Sequence, residues 1–355
     1  MAVSVADVTD DEEGRRRFAA LAGEVYRRDP HYCAPFASDL DRRGGRAFLA
    51  MRDGRVVARV YACVSRLDRE AASPHGTLGS FEAQDDAEAA GVVLRAGTAW
   101  LRANGAGVIV GPMDGDTWHR YRLNVGPYDE PPFLMEPYNP AYYPALWESA
   151  GFRPLEGYIS KSVADLSAVV EALRVKADRA AAGYRLRSLD PSRFEEELDV
   201  LFSLTRAGFA GNLLYTDIPR ADFVGMYAGT RALIDPDLVC LASTSAGEPA
   251  GFLFAIPDRH RAVAAMRGSR GLPARVRYWL RRHTDTVNMK TIGVVPEHRR
   301  GGLASALCHH VYAAAARKGY RRANLCLIRD GNPSAALDAD LGRVSRRYVL
   351  YQLAA

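Results

Sequence analysis

The sequence predicts an α/β protein made of two consecutive domains. Its 355 residues are enough for two separate cores. Short runs of alternating apolar residues, typical of strands, are interspersed with segments of helical spacing. A similar ending, a short helix followed by glycine, occurs at residues 139–152 and again at residues 332–342. We therefore expect domains at residues 1–160 and 183–355, joined by a charged helical connector at residues 161–182.

The first half contains predicted helices and a predicted hairpin. Residues 15–28 place Phe18 and Leu21 on one helical face. Residues 47–51 and 56–64 flank an Asp-Gly turn, which is typical of a β-hairpin. A short strand after Gly76 and a helix over 87–104 follow, and residues 111–136 are predicted to be irregular.

The second half also contains predicted helices and a predicted hairpin. Residues 184–189 are predicted as a strand and 191–207 as a helix, followed by a loop and a second helix. Residues 238–243 and 250–256 flank another glycine-containing turn and predict a second hairpin. Residues 320–328 and 347–353 are the last two predicted strands.

A basic turn with two glycines connects a strand to a helix in the second half. The β-branched run ends at Pro296, and Arg299-Arg300-Gly301-Gly302 leads into an Ala/Leu-rich helix. Free N–H groups and the positive end of the dipole at a helix start attract anions. Glycines let the backbone approach a phosphate closely. Taken alone, the same residues also suit an ordinary surface turn.

The pattern Arg299-x-x-Gly302-x-Ala304 after Val-x-Pro resembles the acyl-CoA pyrophosphate loop of the GNAT superfamily, and so does the order of elements downstream. The resemblance implies a mixed, mostly antiparallel sheet flanked by helices in each half. It also implies an acyl-CoA co-substrate, with acetyl-CoA as the default, and an N-acyltransferase acting on a small amine-bearing metabolite in a ternary complex. Residues implied to bind the co-substrate lie in the loop, the strand before it and the last short helix: Gly293, Val294, Val295, Arg299, Arg300, Gly301, Gly302, Leu303, Ala304, Ser305, Asn332 and Ser334.

The first half resembles a second, degenerate copy of the same family. Residues 139–152 resemble the family's last helix and its Gly-Phe exit, so the chain resembles a tandem GNAT protein. Where the basic loop would stand, the first copy is acidic: Glu82, Gln84, Asp85, Asp86 and Glu88. Carboxylates repel a pyrophosphate. We therefore expect only the second half to bind the CoA nucleotide.

Both residues that usually catalyse transfer in this family are substituted. Lys290 stands where family members often place a glutamate base, and Asp338 where they often place a tyrosine acid. Four residues near the relevant strands are candidate replacements: His283, Asp285, Tyr348 and Tyr351. Each also suits a purely structural role. Catalysis by positioning alone is an alternative.

Two loops contain candidate acceptor-binding residues. In the family, the loop between the first two helices shapes the acceptor pocket, and here it is residues 211–217. A second polar loop, at residues 114–122, combines arginines with acids and would suit a zwitterionic or anionic acceptor. The candidates from the two loops are Asn212, Tyr215, Asp217, Asp116, Trp118, Arg120 and Arg122. Turn closure and surface packing are the structural alternatives.

Composition sets broad limits on location and partners. The net charge is +5 and no long apolar run indicates a membrane span. The acidic N-terminal segment does not resemble a signal peptide. Five cysteines without metal-type spacing favour a reducing compartment and no metal site. We expect a cytoplasmic protein, more often monomeric than dimeric because tandem copies can mimic a dimer.

Basic residues are concentrated between Asp258 and Arg300, which contain eleven Lys and Arg against three acids. They suit either a solvated surface or an electrostatic funnel for CoA. Residues 271–283 form an amphipathic segment that suits a membrane surface, although covering its own domain is commoner. We therefore expect neither membrane nor nucleic acid as a partner.

Two alternative functions remain open. One is a non-catalytic protein that binds acyl-CoA or a metabolite. The other is transfer from tRNA, and the CoA loop argues against this second alternative.

Overall fold

A computed structural model describes residues 2–33, 44–65, 74–228 and 234–354. Its strands join in one thirteen-stranded sheet. The strands are β1 (Val3–Asp7), β2 (Arg46–Arg52), β3 (Arg55–Ser65), β4 (His75–Ala83), β5 (Val108–Gly111), β6 (Leu123–Gly126), β7 (Arg153–Val163), β8 (Tyr184–Ser188), β9 (Val239–Thr244), β10 (Pro249–Pro257), β11 (Thr286–Val294), β12 (Arg322–Arg329) and β13 (Arg343–Ala354).

The helices of the described residues pack on this sheet. They are α1 (Glu12–Val25), α2 (Ala87–Ala103), α3 (Tyr143–Ser149), α4 (Leu166–Ala181), α5 (Phe194–Phe209), α6 (Arg220–Ala228), α7 (His260–Ala264), α8 (Leu272–Arg281) and α9 (Leu303–Arg317). Both predicted hairpins, β2–β3 and β9–β10, are confirmed. No described helix is both long enough and apolar enough to cross a membrane.

The two halves exchange their closing strands. The strand order is β1-β2-β3-β4-β5-β13-β7-β12-β11-β10-β9-β8. Thus β13, from the second half, pairs with β5 of the first half, while β7, from the first half, pairs with β12 of the second. The division at residue 160 remains a prediction about domains, but the backbone hydrogen bonds cross it in both directions.

Side chains that alternate along β9 belong to two apolar cores, one on each face of the sheet in the second half. Cys240 and Ala242 pack in the cluster under α4 and α9, whereas Val239 and Leu241 pack under α5 and α6. Successive side chains of a strand point to opposite faces, so both faces of β9 are apolar and covered.

Two predicted elements differ from the structure. The predicted connector contains the end of β7 and helix α4, whose Leu166, Val169 and Leu173 are buried in the core shared with α9. Helix α4 is thus a packed member of the helical layer. The predicted helix 332–341 contains only a 3-10 turn, Pro333–Ala336, because Asn332 caps it and Asp338 turns the chain by accepting from the amide of Gly342.

Candidate active site in the opened sheet

The site lies where two parallel strands separate. β11 and β12 are paired from Thr286 and Arg322 as far as Met289 and Leu325, and then no longer pair with each other. The amide of Leu327 instead donates to Ser160 Oγ of β7 at 3.0 Å. A cavity of about 440 Å³ occupies the opening, a volume within the range of small-molecule sites.

The cavity has an apolar side and a polar rim. The apolar side consists of aromatic and aliphatic residues from α5, α6 and β10: Phe194, Leu198, Leu201, Phe223, Phe252 and Phe254. The rim combines residues from the predicted acceptor loops with β11: Trp118, His119, Arg122, Asn212, Tyr215 and Lys290. The two loops that the sequence singled out thus meet at one cavity, although they lie about a hundred residues apart.

The phosphate loop leaves a helix start uncapped. Gly302 is the N-cap of α9 with φ +77°, and no side chain caps the helix there. The amides of Leu303 and Ala304 therefore lack intrahelical partners, as at any helix start. A left-handed φ favours glycine, and a Cβ at Gly302 would lie 3.2 Å from the Cβ of Ala180. These residues fit a pyrophosphate, which would accept from the backbone amides at this helix start.

The corresponding helix of the first half supplies its own anion. The carboxylate of Asp86 accepts from the amide of Ala89 at 3.0 Å and so caps α2. Arg52 forms ion pairs with Asp86 at 2.9 Å and with Glu88 at 2.6 Å. The hydrogen bonds from Arg52 hold the pKa of Asp86 below its usual value, which keeps the cap charged. A second anion is therefore not favoured at α2.

The two loop arginines differ in how they are held. Arg299 donates through Nη2 to the carbonyl of Gly208 at 2.7 Å and through Nε to that of Val294 at 3.2 Å. It ties the loop to the end of α5, which is a supporting role that the sequence did not indicate. Arg300 is exposed at the turn. His298 Nδ1 lies 3.0 Å from the hydroxyl of Tyr184, which fixes the loop on its other side.

The strand amides are only partly available to a thioester. The amide of Val295 donates to the carbonyl of Ala250 at 3.1 Å and is thus used within the sheet. Amides alternate in direction along a strand, so that of Gly293 also points toward β10, while those of Ile292 and Val294 point into the opening. Of Gly293, Val294 and Val295, which the resemblance implies to bind the co-substrate, Val294 alone has an amide that points into the opening.

The last short turn contributes to the cavity wall. Asn332 and Ser334 both line the cavity. The side chain of Asn332 accepts from the amide of Ser334 at 2.9 Å, so its carbonyl oxygen caps the turn. Its amide group remains the part that a ligand would meet.

A histidine–aspartate pair stands at the rim. The Nδ1 of His119 lies 2.6 Å from Asp116 Oδ1, and a carboxylate only accepts, so Nδ1 carries the proton. Nε2 is then the ring atom that can take a proton. The same Asp116 oxygen accepts from the amides of Trp118 and His119. Trp118 Nε1 donates to the carbonyl of Thr216 at 2.7 Å, which holds this loop against the second half.

Two cations lie within the cavity wall. The guanidinium carbon of Arg122 lies 3.7 Å from the ring centre of Tyr121 and 4.0 Å from that of Tyr158. Lys290 Nζ lies 5.1 Å from the ring centre of Phe133, and burial lowers its pKa. Arg122 is thus a fixed charge, whereas Lys290 gives up its proton more readily than a lysine in water.

The four predicted catalytic residues do not line the cavity. Asp285 precedes β11 and forms an ion pair with Arg322 at 2.7 Å, at the opposite edge of the sheet from the loop. His283 is exposed after α8. The hydroxyl of Tyr351 donates to Glu148 in the core of the first half.

Tyr348 is closer to the cavity but not part of its wall. Its buried hydroxyl lies 2.5 Å from Glu136 and 3.1 Å from Ser160 Oγ. Burial raises the pKa of Tyr348 strongly, so its hydroxyl acts as a structural hydrogen-bond donor. Ser160 lies between Tyr348 and Leu327, which lines the cavity.

Two predicted acceptor residues are engaged elsewhere. Asp217 pairs with Arg206 at 2.6 Å on the surface. Arg120 lies 3.4 Å from Asp114 and 3.7 Å from Glu82, on the side of the first half. Asp116 acts through His119, as described above. Asp217 and Arg120 are thus each paired with an oppositely charged side chain outside the cavity wall.

Tyr312 is a further polar group of the cavity. It is fully buried in α9, lines the cavity, and its hydroxyl has no hydrogen-bond partner. Sequence reasoning missed it, because an aromatic residue within an Ala/Leu-rich helix indicates packing. His119 and Lys290 were also missed as chemical groups, although both lie in segments that the sequence singled out.

Comparison with known proteins agrees with this geometry. Residues 214–339 match the model of the Acetyltransferase (GNAT) family. A protein of Caulobacter vibrioides described as bacterial ceramide synthase is 26% identical over 268 residues, covering 71% of this chain and 70% of its own. Protein YghO of Escherichia coli is 24% identical over 270 residues, covering 72% and 68%.

The fold is also found among solved structures. A tandem GNAT protein from the clavulanic acid biosynthesis pathway superposes with a TM-score of 0.52 at 14% sequence identity, over 99% of this chain and 98% of that one. At this identity the likeness concerns the fold. It extends over both halves, so the predicted tandem arrangement is confirmed.

Proposed function

We propose that this chain, which has a tandem GNAT fold and matches the Acetyltransferase (GNAT) family over residues 214–339, transfers an acyl group from acyl-CoA to the amino group of a molecule with a long apolar chain. The observation that carries the proposal is the cavity of about 440 Å³, which has an apolar side next to a polar rim. An acetyl group and a small polar amine would leave most of that apolar side in contact with water.

The donor would enter along the opened strands. The pyrophosphate would accept from the amides of Leu303 and Ala304, with Arg300 nearby, and the pantetheine arm would lie between β11 and β12 beside Asn332. The thioester oxygen would then accept from an inward-pointing amide of β11, that of Ile292 or Val294. Such donors stabilise the negative charge that develops on this oxygen.

The acceptor would reach the thioester from the side of the two loops. Its chain would lie along Phe194, Leu198 and Leu201, and its amine near His119 at the rim. The relative described as bacterial ceramide synthase supports this assignment, since a ceramide is the N-acyl derivative of a long-chain amino alcohol. An amino alcohol also has polar groups that suit a rim with Asn212 and Tyr215.

The chemistry requires one proton to leave nitrogen and one to reach sulfur. The amine nitrogen attacks the thioester carbon, its proton passes to Nε2 of His119, and Asp116 stabilises the imidazolium that forms. The C–N bond forms and the C–S bond breaks. The departing thiolate takes up a proton from solvent, and the imidazolium of His119 returns its proton to solvent.

The test is a transfer assay with the purified full chain, in which CoA release and the N-acyl product are both measured. Palmitoyl-CoA and acetyl-CoA serve as donors. A long-chain amino alcohol and its short-chain homologue with the same head group serve as acceptors, so that only the apolar tail differs. We expect kcat/KM to be highest for the long-chain acceptor. Equal rates for the two acceptors would overturn the assignment of the apolar side.

A second comparison separates the two possible occupants of the apolar side. If the acyl chain and not the acceptor's tail lies there, the rate will depend on donor length and be indifferent to acceptor length. If acetyl-CoA and short amines are the best pair, the original expectation of a small-metabolite acetyltransferase holds and the present proposal fails.

A further inference from the structure

Helix α8 has an apolar surface that points away from the protein. Leu272, Val276, Trp279 and Leu280 are 73%, 50%, 62% and 68% exposed. Their spacing places them on one face of the helix, and we call this set the α8 surface. Ala274, on the opposite face, is buried. A helix that covered its own domain would turn these apolar residues toward the protein. The sequence-based expectation that residues 271–283 cover their own domain is therefore wrong for this face of α8.

The rim of the α8 surface is basic. Arg275 and Arg282 lie next to the apolar stripe on the helical wheel, and the guanidinium carbon of Arg282 is 5.4 Å from the ring centre of Trp279. Residues 270–283 include no Asp or Glu. Aliphatic side chains, a tryptophan and flanking arginines on one helix are the combination that binds an anionic membrane surface.

Internal contacts hold the helix in this orientation. Arg277 donates to the carbonyl of Ala265 at 2.8 Å, and Arg259 donates to the hydroxyl of Tyr278 at 3.3 Å. Pro273, in the first turn, fixes the start of the helix. The apolar face is therefore presented on a preformed helix, and binding would not need to order this segment first.

We propose, in place of the sequence-based expectation of no membrane partner, that α8 lies in the surface of an anionic lipid bilayer with Leu272, Val276, Trp279 and Leu280 among the lipid head groups. The charge pattern favours lipid over a second copy of this chain. In a twofold-symmetric contact each helix would face the same helix, and the arginines of one copy would meet those of the other.

The α8 surface is linked to the cavity by a short series of contacts. Asp258, next to Arg259, accepts from the amide of Leu134 at 2.9 Å. The neighbouring Met135 lines the cavity and is 71% exposed. If the proposed function is correct, the segment that supports α8 is thus in contact with the segment that forms part of the cavity wall. The binding itself does not depend on that function.

The experiment measures binding of the full chain to vesicles of phosphatidylglycerol and phosphatidylcholine, and to vesicles of phosphatidylcholine alone, by co-sedimentation. We expect salt-sensitive binding to the anionic vesicles. Arg275→Gln with Arg282→Gln should weaken it roughly thirtyfold, since each basic side chain near an anionic surface contributes about fivefold. Trp279→Ser with Leu280→Ser should abolish it. Val175→Ser, an equally exposed apolar site on α4, is the matched control.

Brominated lipids locate the contact. They should quench the fluorescence of the wild type, while Trp279→Phe should still bind but lose that quenching. Absence of binding to anionic vesicles, or binding that survives the paired Trp279 and Leu280 change, would overturn the proposal. So would a dimer in sedimentation velocity that Leu280→Ser dissociates, which would assign the surface to a second copy. Because these readouts are independent of turnover, they distinguish failure of this proposal from failure of the proposed reaction.

Discussion

Reversing the charge at Arg300 should weaken acyl-CoA binding, while the same change at Arg317 should not. Both arginines are exposed and both belong to the α9 region, Arg300 beside its start and Arg317 in its last turn. The fifteen residues of α9 correspond to about 22 Å of helix. This distance exceeds two Debye lengths, each about 8 Å at physiological salt.

The expected magnitude follows from the charges involved. An exposed unit charge about 4 Å from a phosphate contributes on the order of 1 kcal/mol. Arg300→Glu changes the charge by two units, so it should cost about 2 kcal/mol, or about thirtyfold in Kd. Arg317→Glu changes the net charge equally but at a screened distance, and its Kd should remain within about twofold of the wild type.

Calorimetric titration with palmitoyl-CoA and with free CoA measures both variants, and thermal unfolding confirms that each is folded. The wild-type affinity for CoA should also fall steeply with added salt, and that of Arg300→Glu should fall less. Equal weakening by both variants would mean that long-range net charge and not the loop governs binding. An unchanged Kd for Arg300→Glu would refute the placement of the pyrophosphate at α9.

Three further predictions address chemistry and stability. His119→Gln should lower kcat by a factor of about 10²–10⁴ and leave the CoA affinity measured by titration unchanged. An unchanged kcat would exclude His119 as the base, and Lys290 would then be tested. Lys290→Met should raise the melting temperature at neutral pH, because burial lowers the folded-state pKa of Lys290. Wild-type stability therefore increases as the pH rises from that lowered pKa toward about 10.4, and the stability gained by the substitution should shrink over the same pH range. If pH-dependent unfolding shows no such decrease, the charge of Lys290 is not the cause. Asp338→Asn should destabilise the fold by about 3–5 kcal/mol in urea unfolding, since it breaks the buried 2.5 Å pair with Lys161, whereas Glu171→Gln, in an exposed pair with Arg174, should leave the midpoint unchanged.

The local parts of the site were predictable from the sequence. The loop around Gly302 depends on a strand end, a left-handed glycine and a helix start, and all three lie within a few consecutive residues. The asparagine turn at Asn332 is equally local. The same holds for the absence of a phosphate loop in the first half, where Asp86 caps α2.

The catalytic candidates lie outside the cavity wall because nearness in sequence does not ensure nearness in space. Asp285 immediately precedes β11, but a nine-residue strand spans about 30 Å, so it lies at the far edge of the sheet from the loop. His119 reaches the cavity from the other half of the chain. Its role depends on how the halves dock, which is set by contacts such as that between Trp118 and Thr216.

The exchanged strands have a consequence for how the protein is made. The sheet of the first half needs β13 between β5 and β7, yet β13 leaves the ribosome only after the whole second half has been synthesised. Until then the backbone groups of β5 that later pair with β13 have no strand partner on that side. The sheet of the first half can therefore be completed only after the second half has been synthesised.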